Sequence, residues 1–257
     1  MDTGLKGKTA LVPASSSGIG LAIARSLAAE GANVVLAGRR GDLVRAEAER
    51  LPSAVGIELD LTTDDAPAAL VAAAKAAFGA VDVLVLNSGG PTAGAAAEVS
   101  DEQVITAMHQ LLVQHVRLTN LVLPGMRERG WGRVVAVGSS GVQSPLAGLA
   151  LSNMGRAGLA GYLKTLAEEV AADGVTVNMV LPGRIDTDRV GTLDQAAAER
   201  TGRTKEEMRA QSESLIPAGR YGRPEEFASV VTFLASSAAS YVTGEQIRCD
   251  GGLVRSY

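Results

Sequence analysis

Three serines and two glycines, Ser15-Ser16-Ser17-Gly18-Ile19-Gly20, follow a short apolar run and open a helical stretch. A turn of this kind presents free backbone N–H groups. The helix behind it adds positive potential, so together they can cradle a pyrophosphate. Glycine-rich turns also serve plain geometry, and the next strand sharpens the reading. That strand ends in Gly38-Arg39-Arg40, where an acidic residue would hold a ribose 2′-hydroxyl and repel a 2′-phosphate. Two guanidinium groups suit a 2′-phosphate. The pair favours NADP(H) over NAD(H), although two arginines at a helix start are also ordinary surface.

The elements that must position this turn alternate along the chain. Strands are expected at Lys8–Val12, Asn33–Ala37, Val55–Leu59, Val81–Leu86, Arg133–Val137, Val175–Val180 and Glu245–Cys249. The fourth lacks polar alternation, as suits a strand covered on both faces. Helices are expected from Gly18 to about Glu30, Asp42 to Leu51, Thr63 to Phe78, Asp101 to Arg129 with Ser100 as N-cap, Leu151 to Ala172, and from Pro224 onward. Strands alternating with long helices mean βαβ units, hence a single doubly wound, Rossmann-type α/β domain with a parallel sheet and helices on both faces. The stretch 184–217 is polar and poor in strand formers apart from a helical segment at Thr204–Ser214. An insertion beyond the carboxyl end of a strand suits a lid or substrate wall, and equally a solvated helical excursion.

Composition narrows the class. The chain has 257 residues, 46% hydrophobic and 3% aromatic, so its core is built from Ala, Val and Leu. The net charge of -4, with no basic block, argues against nucleic acid and membrane surfaces as partners. One cysteine forbids an internal disulfide, and with two histidines it makes a zinc site improbable, so no metal is expected. No apolar run reaches 18 residues and the N-terminus lacks the apolar core of a signal peptide, so a cytoplasmic protein is expected.

Further segments carry a resemblance. Pro13-Ala14-Ser15-Ser16-Ser17-Gly18-Ile19-Gly20, Asp60-Leu61, Asn87-Ser88-Gly89-Gly90, Pro182-Gly183-Arg184-Ile185-Asp186-Thr187, Arg223-Pro224-Glu225-Glu226 and Asp250-Gly251-Gly252 span nearly the whole length. Together they resemble the short-chain dehydrogenase/reductase family. The resemblance implies cofactor contacts at Ala14 through Gly20, Arg39 and Arg40. It adds Asp60 and Leu61 toward the adenine, the Asn87-Ser88-Gly89 segment, and Pro182, Gly183, Ile185 and Thr187 toward the nicotinamide amide. It also implies a homotetramer or homodimer packed through the long helices. The family pattern begins Thr-Gly where this chain has Pro13-Ala14, and Ala lacks the freedom of Gly at positive φ, so a changed turn is expected.

The family's chemistry uses a Ser, then a Tyr-x-x-x-Lys segment thirteen residues on, and an Asn on the preceding long helix. Aligned on Arg156-Ala157-Gly158, the Tyr position is Ser152, the Lys position Arg156 and the Ser position Ser139, while the Asn position falls at about Leu111. An aliphatic hydroxyl is several pKa units above a phenol, so Ser152 is a poor proton donor at neutral pH. Arg156 can hold a ribose or a substrate anion but stays protonated. No shifted motif supplies the phenol: Tyr162 has Leu166 four residues on, and Tyr221, Tyr241 and Tyr257 lie far along the chain. His109 and His115 read as helix-packing residues, and Gln143 and Ser144 as loop polarity near the substrate.

The expectation is an NADP(H)-dependent oxidoreductase acting on a ketone, secondary alcohol or 3-oxoacyl carbonyl, with Ser139 polarising the carbonyl and an atypical proton path. Two alternatives stand beside it: a non-catalytic NADP-binding regulatory or assembly protein, and a lyase or dehalogenase-like activity without redox. The kept Gly18-Ile19-Gly20 and Arg39 argue against the last.

Overall fold

The computed structural model describes residues 2–256, so the terminal Tyr257 lies outside the described residues. Seven strands form one parallel sheet in the order β3-β2-β1-β4-β5-β6-β7. They are β1 (Thr9–Val12), β2 (Asn33–Gly38), β3 (Ala54–Glu58), β4 (Val83–Leu86), β5 (Gly132–Val137), β6 (Val175–Pro182) and β7 (Gln246–Cys249). The expected strands are thus present and the doubly wound fold is observed. The order reverses between β1 and β4, so the carboxyl ends of these two strands open a crevice at the switch point.

Helices cover both faces. Against one lie α1 (Gly18–Ala29), α2 (Gly41–Glu49) and α9 (Pro224–Ala235), packed around Ile23, Leu27, Phe227 and Val231. Against the other lie α3 (Ala66–Phe78), α5 (Gln114–Glu128) and α6 (Ala150–Val170), around Leu70, Leu118, Met126 and Leu163. The scarcity of aromatics shows here: Phe227 is the one aromatic side chain among the largest fully buried ones.

Three departures from the expected elements are observed. The fourth strand begins at Val83: Asp82 before it still bonds through its backbone to Thr9 and Arg133, and its carboxylate takes the Thr9 N–H at 3.0 Å and pairs with Arg129 at 3.2 Å. The long helix is α4 (Asp101–Met108) and α5 joined by a π-turn over His109–Val113. Ser100 caps it as expected, in a capping box with Gln103. Leu111 sits on the π-turn and presses on α6, where a Cβ at Gly155 would stand 2.8 Å from its Cδ1. The 184–217 stretch holds two helices, α7 (Asp188–Thr201) and α8 (Lys205–Leu215), where one was expected. The charged sequence of α7 hides an apolar anchor in the buried Ala198 beside the buried Asp194.

At the amino end of the sheet, Trp131 is held between Lys8, whose Nζ is 4.2 Å from the ring centroid, and the Arg133 guanidinium at 4.4 Å. Arg133 also donates to the carbonyl oxygens of Ser236, Gly132 and Gly174.

Candidate active site

A cleft of about 690 Å³ opens over the carboxyl ends of β1, β2 and β4. Ala14, Ser16, Ser17, Arg39, Arg40, Asp60, Leu61, Ser88 and Gly89 line it. The expected adenine-side and phosphate-side residues are therefore gathered in one place. Arg40 donates through Nη2 to Ser16 Oγ at 2.9 Å and to Ser17 Oγ at 2.6 Å, so it crosses the mouth of the glycine-rich turn. Arg39 is exposed, and its charge is one of the influences that lower the Asp60 carboxyl, after the hydrogen bond from the Thr62 N–H.

The turn itself is tight. Ala14 takes φ +51°, the left-handed region, and is the one non-glycine at positive φ among the described residues. The expected change of turn is thus not an avoidance of that region; Ala14 accepts its strain, of order 1–2 kcal/mol. A Cβ at Gly20 would collide with the Ala14 carbonyl oxygen and stand 2.7 Å from Asn87 Nδ2, so only glycine fits there. Asn87 donates to the carbonyl oxygens of Pro13 at 3.2 Å and Ala14 at 3.3 Å, tying β4 to the turn. Ser15 corrects an expectation. Its side chain is fully buried, donates to the Val12 carbonyl oxygen at 2.7 Å and accepts from the Ala37 N–H at 3.0 Å, so it braces β1 to β2 and does not reach the cleft.

These residues fit a dinucleotide. Helix α1 starts at Gly18 and Ser17 gives it no side-chain cap; the Ser17 Oγ accepts from Arg40. The first-turn N–H groups are thereby left for a phosphate. Ser88 Oγ, on the cleft wall, is buried without a hydrogen-bond partner. Across from them the β6 segment is fixed by packing. Pro182 pairs with Cys249, a Cβ at Gly183 would stand 2.8 Å from Asp250 Cα, and Ile185 is buried. Thr187 caps α7 by accepting from the Val190 N–H, and a Cβ at Gly18 would lie 3.4 Å from its methyl group.

The three expected catalytic positions lie at the next strand. Ser139 follows β5, is half-buried, and its Oγ accepts from the Gly141 N–H at 3.0 Å. Ser152 stands on the first turn of α6, half-buried, one turn ahead of Arg156. Arg156 is buried and donates to the carbonyl oxygen of Val137, two residues before Ser139. Burial, then the charge of Arg189, brings its guanidinium down to about 10.

One neighbour escaped sequence reasoning. Asn153 donates to the Leu146 carbonyl oxygen at 2.9 Å, and a Cβ at Gly141 would collide with its Oδ1, so it pins the loop after Ser139. Its position beside Ser152 was the available signal. His115 is fully buried and donates from Nδ1 to the Leu111 carbonyl oxygen at 3.0 Å, which leaves Nε2 without a partner. Burial and the Arg156 charge hold its imidazole down at about 4, so it is neutral. His109 packs at the surface against Asp64 at 3.1 Å. Tyr221, far along the chain, is buried and donates to Asp194 Oδ2 at 2.9 Å under the 184–217 segment.

Residues 13–254 match the model of the family described as enoyl-(acyl carrier protein) reductase. The chain is 37% identical over 250 residues to the 3-oxoacyl-(acyl-carrier-protein) reductase of Vibrio cholerae, covering 97% of this chain and 98% of that protein. It is 36% identical over 253 residues to a putative ketoacyl reductase of Streptomyces coelicolor, covering 96% and 97%. Among solved structures, L-sorbose reductase from Gluconobacter frateurii, complexed with NADPH and L-sorbose, superposes with a TM-score of 0.94 at 32% identity, over 100% of both chains. A single-substitution variant of actinorhodin polyketide ketoreductase with NADPH superposes with a TM-score of 0.92 at 34% identity, over 97% and 98%. Sheet order, cleft and full-length similarity agree, and the chain belongs to the short-chain dehydrogenase/reductase family.

Proposed function

We propose that the protein is an NADP(H)-dependent oxidoreductase that reduces a ketone or 3-oxoacyl-type carbonyl, or oxidises the matching secondary alcohol. The observation that carries this is the arginine-walled cleft running into the uncapped start of α1. Relatives named as ketoacyl reductases, and neighbours solved with NADPH, support it. Arg39 and Arg40 would hold the 2′-phosphate, the first turn of α1 the pyrophosphate, and Asp60 and Leu61 the adenine. Pro182, Gly183, Ile185 and Thr187 would hold the nicotinamide amide. When bound, the cofactor supplies or accepts a hydride.

The residues of this chain supply position and polarisation. Ser139 keeps its hydroxyl proton free to donate to a carbonyl oxygen, because its Oγ is the acceptor in the bond with Gly141. Asn153 fixes the loop that carries this geometry. Arg156 stands where the family has Lys, and spends one of its five donors on Val137, leaving others for a ribose hydroxyl. In our reading this is a divergent member without the Tyr-x-x-x-Lys pair, and the proton reaches the site through water that Ser152 orients. The segment 184–217 forms the substrate wall. Its Arg189 donates to the Pro91 carbonyl oxygen at 2.6 Å and closes over the loop after β4. We also propose a homotetramer packed through α4, α5 and α6, where Ile105 and Met154 are exposed and Gly161 leaves open space.

The test is NADPH consumption against ketones, 3-oxoacyl thioesters and quinones, with binding of NADPH and NADH measured alongside. Turnover that Ser139→Ala lowers on the order of 100-fold supports the reading. NADPH binding with no turnover on any acceptor favours the second reading, a non-catalytic NADP-binding protein, which the serine and arginine at positions 152 and 156 motivate.

A further inference from the structure

A guanidinium removed from water must find acceptors, or the burial is unfavourable. The protein buries two arginines, and they solve this differently. Arg133, 3% exposed, has three carbonyl acceptors and the face of Trp131. Arg156, 8% exposed, has among the described residues one acceptor, the Val137 carbonyl oxygen. No carboxylate of the described residues lies within ion-pair distance of it. The charged group that bears on it is another cation, Arg189.

Arg189 stands on the first turn of α7, lies against the loop after β4, and reaches the Pro91 carbonyl oxygen. Its Nη2 is 3.0 Å from where a Cβ at Gly90 would stand. It too has no carboxylate of the described residues within ion-pair distance. Of the other arginines of the segment, Arg184 is matched with Asp194 at 3.0 Å and Arg209 with Asp186 at 2.8 Å, while Arg203 donates to the Gln211 amide oxygen at 3.0 Å, away from the loop after β4. Two unmatched cations thus lie near the carboxyl ends of β4 and β5, Arg156 bonded to the last residue of β5 and Arg189 bonded to the loop after β4.

We propose that the substrate carries a carboxylate within a few bonds of its reacting carbonyl, as in a 2-oxo or 3-oxo acid, and that Arg156 and Arg189 hold it. This rests on the reductase reading. A carboxylate accepts paired N–H bonds from a guanidinium and supplies the missing counter-charge. Ser152, a small side chain where the family has a phenol, stands one turn ahead of Arg156 on α6. A neutral ketone in the same place leaves the buried cation uncompensated, so a site of this kind discriminates strongly against the uncharged analogue.

The experiment compares 2-oxohexanoate and 3-oxohexanoate with their methyl esters by NADPH consumption, and measures hexanoate against hexanamide binding to the NADP⁺-loaded protein by calorimetry. Each is repeated in Arg189→Gln, which alters an exposed residue, and in Arg156→Lys, which keeps the charge but loses the planar fork. We expect an acid-over-ester ratio in kcat/KM of at least about tenfold, falling toward one in both variants, with hexanoate binding weakened in parallel. Esters used as well as acids overturn the anion site and leave the reductase reading standing. No turnover with any of the four or with the ketones, thioesters and quinones above, but hexanoate binding that Arg189→Gln abolishes, sustains the anion site and overturns the reductase reading. Hexanoate that binds the free protein and not the loaded one assigns the two cations to the cofactor's own phosphates, and overturns the proposal.

Discussion

Asn87 Nδ2 lies 3.3 Å from the carbonyl oxygen of Ala14, the one described non-glycine residue at positive φ, so the side chain just after β4 clamps the strained corner of the phosphate turn. Replacing Ala14 by Gly removes the Cβ clash that left-handed backbone imposes, against a smaller loss from a freer unfolded chain. Ala14→Gly is expected to raise stability by roughly 0.5–1 kcal/mol in guanidinium unfolding. Gly20→Ala, which drives a methyl into the Ala14 carbonyl and Asn87, is expected to abolish NADPH binding.

Arg39 and Arg40 set the cofactor preference in our reading. Arg39→Ala and Arg40→Ala are each expected to weaken NADPH binding by about tenfold or more while changing NADH binding little, since a charge-assisted bond to phosphate contributes on the order of 1.5–3 kcal/mol. Fluorescence titration of both cofactors checks it. Equal losses for the two cofactors would mean that the arginines only shape the turn.

Ser139→Ala removes the proposed donor to the carbonyl oxygen. Loss of one such donor lowers kcat on the order of 100-fold, with the NADPH dissociation constant unchanged. Asn153→Ala is expected to act through the same loop, lowering kcat less than Ser139→Ala and raising KM.

His115 makes stability depend on pH. Its imidazole stays neutral in the native protein down to about 4, whereas in the unfolded chain it takes up a proton near the ordinary 6.5. The unfolded state therefore binds more protons between these values, and native stability falls as pH drops through that window. The loss approaches about 3 kcal/mol at the acid end. Denaturation midpoints at pH 7 and pH 4.5 should differ in the native protein, and the difference should shrink in His115→Gln.

Tyr221→Phe removes the bond to Asp194 under the 184–217 segment and leaves a buried carboxylate oxygen short of a donor. A stability loss of about 1–3 kcal/mol is expected, with faster proteolysis within residues 184–217 as the sharper readout.

The parallel sheet was legible because period and punctuation agreed: Val83–Leu86 is apolar throughout, and Ser100 announces a helix start that the structure keeps. The cleft was legible because Ser16, Ser17, Arg39, Arg40 and Asp60 lie in turns fixed by strand ends. Helix α7 was not, since its sequence is charged on nearly every face and is held by two buried residues, Asp194 and Ala198. The π-turn at Leu111 was hidden as well, because it depends on α6 packing against it through Gly155, a long-range contact. Ser15 misled for a related reason: its neighbours face the cleft, and only the β1–β2 brace shows that it does not.

Trp131 is the one tryptophan of the chain, and its two cationic neighbours hold it before the amino end of β5, while the cleft opens at the carboxyl ends. The protein thereby carries an intrinsic fluorophore at the pole remote from its ligands. Emission from Trp131 should follow the collapse of the whole sheet, free of direct contact between the indole and whatever fills the cleft.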